Sequence, residues 1–124
     1  MAVADTGSAW KNVDRAFAVL LILGAGGHTL GSFKTYGSQP IVLLWALSAS
    51  VLCVLLGAIN LLRINRPQDA ALAWVVVGGM VCWLVLTFAF GKLIGNLLDF
   101  RILIFAVISV VLILFGLRTA TRAA

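Results

Sequence analysis

Four long stretches without a single charged residue dominate this chain: 16–33, 41–62, 70–91 and 102–117. A run of about 20 residues at about 1.5 Å per residue crosses the roughly 30 Å hydrocarbon layer of a bilayer. The first three runs meet that length, and the fourth reaches it when its flanking arginines, Arg101 and Arg118, snorkel outward. The pattern predicts an all-α, four-transmembrane-helix up-down bundle, an integral membrane protein forming a single membrane domain over 1–124. Its helices are expected at about 16–33, 40–63, 70–91 and 99–118. The runs are continuous rather than alternating, which excludes a β-barrel.

Composition supports the same solvent. Hydrophobic residues make up 63% of the 124 and charged residues 10%, where soluble domains run near half apolar and a quarter charged. A soluble enzyme, a disordered tail and a disulfide-stapled secreted module are excluded on that ground.

Turn chemistry marks the ends of the runs. Gly37-Ser38-Gln39-Pro40 closes the first loop, and Pro40 suits the first turn of a helix, where its missing N–H costs nothing. Arg66-Pro67 ends the second helix, and Asp69 and Asp99 stand where the N-caps of the third and fourth belong. Short loops make consecutive helices antiparallel neighbours.

The nine Lys/Arg outnumber the four Asp/Glu, for a net charge of +5. Lys11, Arg15, Arg63, Arg66, Arg118 and Arg122 fall on one side, against Lys34, Lys92 and Arg101 on the other. The positive-inside rule then expects a multi-pass protein of the cell membrane with both termini cytoplasmic. Boundary cations facing anionic headgroups explain the basic balance, so no nucleic-acid partner is expected. Lys11 and Arg15 before the first run resemble the start of a signal peptide, with Leu23-Gly24-Ala25-Gly26 as a cleavage candidate. The run continues beyond that point and three more follow, so a retained signal anchor is expected.

Lipid provides no hydrophobic push between helices, so close packing needs small residues. Helix 2 carries Ala46, Ala49, Cys53, Gly57 and Asn60 at spacings of three and four, and helix 3 carries Ala71, Val75, Gly78, Cys82, Val85 and Ala89. Helix 1 has Gly24 and the GxxxG pair Gly27 and Gly31. These are the expected packing seams. Helix 4, aliphatic and poor in glycine, is expected to have the most lipid contact. Cys53 and Cys82 lie at similar depth, but each sits in a seam where a thiol behaves as a small hydrophobe, so no redox pair is expected.

Candidate chemistry centres on His28, the one histidine, within the first run. An ionisable group inside a span is a functional candidate by default. Two readings stand beside each other: a packed histidine satisfied by a neighbouring helix, or a proton or ligand site. His28, Thr29, Ser48, Ser50 and Thr87 all fall in the outer half of the bilayer, with Lys92, Asn96, Asp99 and Arg101 at its rim; the inner half holds little beyond Asn60. An outward-facing polar pocket with His28 near its floor is the site this distribution suggests, with His28, Thr29, Ser48, Thr87, Asp99 and Arg101 as candidates. The bland alternative has the hydroxyls bonding their own helix carbonyls. Asp99 and Arg101, two apart, are not expected to face each other on a helix.

No phosphate loop, HExxH or pair of intramembrane carboxylates is present. With one histidine and no embedded acid, a metal site within the chain is not expected, and no cofactor is required. The leading expectation is a non-enzymatic membrane scaffold or accessory subunit whose partners are the lipid bilayer and either a second copy or a larger membrane complex. The alternatives are a small transporter or channel around His28, and a binder of haem or quinone through His28.

Overall fold

A computed structural model describes residues 6–124, so the first five residues of the polar leader lie outside the described residues. The chain is all-helical: α1 (Thr6–Tyr36), α2 (Pro40–Asn65), α3 (Ala70–Leu93) and α4 (Phe100–Ala123). Each is long and apolar enough to cross a membrane. Local chemistry sets the joints as expected. Pro40 opens α2, and Asp69 caps α3 by accepting from the Leu72 backbone N–H at 2.9 Å. Between α3 and α4, Gly95 takes a φ of +73°, which favours glycine.

α1 and α4 exceed their apolar runs. α1 begins ten residues before the expected start and spans 31 residues, or about 46 Å. Polar residues end an apolar run without ending a helix. Lys11, Asp14 and Arg15 are therefore helical, and α2 continues two residues past Arg63 to Asn65.

Contacts between helices run in opposite directions along the chain. In the first hairpin Asp14 meets Arg63, Leu21 meets Cys53 and His28 meets Ser50. In the second, Trp83 meets Phe105 and Val77 meets Gly116. The two hairpins join through α1 and α4, where Gly24 lies against Phe105 and Trp10 against Phe115. α4 thus touches all three other helices. It buries Ile102, Ala106, Ile108, Ser109, Leu112, Gly116 and Ala120. This corrects its expected place as the helix most exposed to lipid: aliphatic character suits an interior as well as a bilayer.

The α2 stripe packs where spacing put it. Cys53 is buried, and a side chain on Gly57 would collide with Ile22 Cγ1 and lie 3.1 Å from the Ala18 carbonyl oxygen. Ala49 is half-buried beside them. α3 differs. It buries Ala73, Val76, Val77, Met80, Trp83, Thr87 and Gly91, which leaves Ala71, Val75, Gly78, Cys82, Val85 and Ala89 exposed. Gly27 and Gly31 on α1 are likewise exposed, with open space where a Cβ would stand. Within one chain, then, Gly27, Gly31, Gly78 and Cys82 are not packing residues. The physical reason is complementarity of size. α4 supplies small residues, so α3 turns its large ones toward it: a Cβ on Gly116 would lie 2.7 Å from Val77 Cγ2. Trp83 meets Phe105 edge-on with ring centroids 5.8 Å apart.

Candidate functional site

Ionisable groups are brought together at the end of the bundle that carries the chain termini. Asp14 comes from α1, Asn60 and Arg63 from α2, and Thr119 from α4. Arg63 donates from both terminal nitrogens to both Asp14 oxygens, at 3.0 and 2.6 Å. It also donates to Thr119 Oγ1 at 3.0 Å and Asn60 Oδ1 at 3.1 Å. Asn60 returns its amide to the Leu56 carbonyl at 2.9 Å. The Arg63 side chain is 1% exposed and that of Asp14 9%. Such a fork-to-fork pair is the geometry in which a guanidinium tolerates burial, because its donors remain bonded. One donor does not: Arg63 Nε is buried without a partner.

A cleft of about 340 Å³ opens over this cluster, with Lys11, Arg63, Arg118 and Arg122 among its lining residues. Asp14 is the one carboxylate among the described residues that line it. Trp10 and Phe115 form an apolar wall, their rings tilted with centroids 6.4 Å apart. The polar cleft therefore lies at the opposite end of the bundle from the expected vestibule around His28. That end of the bundle holds Asp14, Arg63 and Thr119 beside Asn60.

Spacing contained a signal for this cluster. The α2 stripe Ala46, Ala49, Cys53, Gly57, Asn60 extends by three to Arg63. The buried positions of α1, at Ala18, Leu21 and Ala25, extend back by four to Asp14. Counting Arg63 among the loop cations removed it from that register.

His28 is half-buried, with Nδ1 2.9 Å from Ser50 Oγ across the α1–α2 interface. Ser32 donates to the His28 carbonyl at 2.8 Å. The three candidate hydroxyls turn to their own helices: Thr29 donates to Ala25, Ser48 to Leu44 and Thr87 to Trp83, at 2.9, 2.9 and 2.8 Å. Each saturates a carbonyl four residues back, so none faces His28 as a partner. Cys53 Sγ donates to the Leu21 carbonyl at 3.3 Å while Cys82 is exposed, and both thiols are free.

Asp99 and Arg101 do face each other, contrary to expectation. Arg101 donates from Nε and a terminal nitrogen to the two Asp99 oxygens at 2.8 and 2.9 Å, and its backbone N–H donates at 2.9 Å. The spacing rule applies to two helical residues, whereas Asp99 is the N-cap with extended backbone (φ −56°, ψ 134°), so its carboxylate folds back over the first turn. Hydrogen bonds from the Arg101 side chain, then its backbone, hold this carboxyl down at about 2. Arg101 is bonded to Asp99, and neither residue hydrogen-bonds His28 or Ser50.

Among the described residues, no group of three or more His, Cys, Asp or Glu is placed to hold a metal ion. Comparison with family models, curated proteins and solved structures finds no match to this chain.

Proposed function

We propose that this chain is a small multi-pass protein of the cell membrane, with both termini cytoplasmic. In this reading it is a non-enzymatic scaffold or accessory subunit that assembles laterally through the outer face of α3. The observation that carries the reading is the orientation of that helix. α3 turns its large residues inward and leaves Ala71, Val75, Gly78, Cys82, Val85 and Ala89 uncovered. In lipid, leucine and isoleucine serve as well as any residue on an outer face, whereas small residues let a second backbone approach closely. A second copy is the occupant that fits, because one stripe set against the same stripe is self-complementary about a two-fold axis. Exposed apolar side chains along the spans, such as Leu23, Val51 and Leu114 at 60–65% exposure, support insertion in lipid. The six-to-three distribution of cations supports the orientation.

The thiols supply the test. Cys82 lies on the stripe and Cys53 is buried, so in a Cys53→Ala background a thiol cross-linker applied to native membranes reports on the α3 face alone. A covalent dimer is expected, lost when Gly78→Leu fills the stripe. Absence of the dimer, or its persistence in Gly78→Leu, overturns the reading.

A further inference from the structure

We propose that the cleft over Asp14 and Arg63 is a binding site for a phosphate-bearing anion. This inference does not depend on assembly through α3. Four cations line the cleft from three helices: Lys11 from α1, Arg63 from α2, and Arg118 and Arg122 from α4. The one carboxylate among the described residues of the lining, Asp14, has both oxygens bonded to Arg63. Among the described residues Lys11, Arg118 and Arg122 form no ion pair with a carboxylate. Arg118 and Arg122 stand one helical turn apart, a spacing at which like charges repel. Their convergence with Lys11 is stabilised when an anion enters between them.

Two further features point to a ligand. Arg63, 1% exposed and part of the lining, retains an Nε donor without a partner. The Trp10–Phe115 wall places an apolar surface beside the cations. A phosphate monoanion with an apolar group attached suits the cations and the wall together, and so does an anionic lipid whose headgroup meets the cations while its acyl chains follow the wall. The volume, about 340 Å³, lies at the lower end of that of pockets that hold small ligands. Arg15 and Arg66 are exposed cations outside the cleft, and they provide the control for diffuse attraction to a charged membrane.

The full chain in nanodiscs, released into native mass spectrometry, reads the site. With phosphatidylglycerol, wild type is expected to retain a stoichiometric lipid adduct that is absent with phosphatidylcholine. An arginine in direct contact with the bound anion contributes about 1 kcal/mol, or about fivefold, so Arg118→Gln with Arg122→Gln should lower retention roughly thirty-fold. Both residues are exposed, so the fold tolerates these changes. Arg15 and Arg66 do not line the cleft, so Arg15→Gln with Arg66→Gln should leave stoichiometric retention within about twofold of wild type.

Inorganic phosphate separates the sources. Millimolar phosphate that binds in phosphatidylcholine discs and displaces phosphatidylglycerol identifies a soluble phosphate as the ligand; retention of phosphatidylglycerol against it identifies a lipid. The proposal is overturned if neither probe binds, if the cleft variant retains as much as wild type, or if the control variant loses as much as the cleft variant.

Discussion

Replacing Asp14 with alanine perturbs the packing of three helices through one charge. In the folded chain Arg63 has two bonds to Asp14, one to Asn60 and one to Thr119. Asp14→Ala removes the only countercharge among the described residues and two of the four bonds, while the guanidinium stays 1% exposed. Breaking a buried pair by removing one partner costs about 3–5 kcal/mol, because the remaining charge is uncompensated. The cleft above admits water, and Asn60 and Thr119 remain, so the lower part of that range, about 3 kcal/mol, is expected. Removing both charges is a different perturbation. Asp14→Leu with Arg63→Met replaces the pair by apolar groups and should fall within about 1 kcal/mol of wild type, or above it. Reversible unfolding in mixed micelles, followed by circular dichroism, measures both. The reasoning is refuted if Asp14→Ala costs less than about 1 kcal/mol, the value of an exposed pair. It is refuted equally if the double substitution is as unstable as the single one, for then the loss arises from shape and not from charge.

Two further predictions follow from the polar contacts at the other end of the bundle. His28→Ala leaves buried Ser50 without its cross-helix partner, and a double-mutant cycle with Ser50→Ala in the same unfolding assay should give a coupling of about 0.6–1.7 kcal/mol; a coupling near zero would show that the contact does not form. The Asp99 carboxyl is held at about 2 by Arg101, below its ordinary 3.8; its contribution to the α4 cap is therefore fully present above pH 3.8 and lost as pH falls through about 2. Carboxyl carbon NMR of labelled Asp99 should show that midpoint, with a return toward the ordinary value in Arg101→Gln; an ordinary midpoint in wild type contradicts the pairing.

The parts of the site that sequence reading missed share one physical origin. Lys11 and Arg63 read as cations at a membrane boundary, where charge is solvated and its position on the helix face carries no weight, and Asp14 is not among the candidate residues. Helical register does not stop at that boundary. Asp14 and Arg63 continue the buried positions of α1 and α2, and once both face inward each is the countercharge the other requires. Thr119, on a helix distant in sequence, was beyond any spacing rule. His28 meets Ser50 across the α1–α2 interface, and which residue it meets depends on how those two helices align.

Sequence alone determined the four helices and their joints. Charge-free runs of membrane length, Pro40 at a helix start, and Asp69 and Asp99 as caps are local properties, set within a few residues of backbone. Antiparallel order followed from short loops. Which face of each helix turns inward was decided by the tertiary structure. α1 and α3 have small residues on the faces they leave uncovered, and α3 turns Val77 against Gly116 and Trp83 against Phe105 of α4. Periodicity identifies a stripe, but only the size and charge of the neighbouring helix decide whether that stripe is buried.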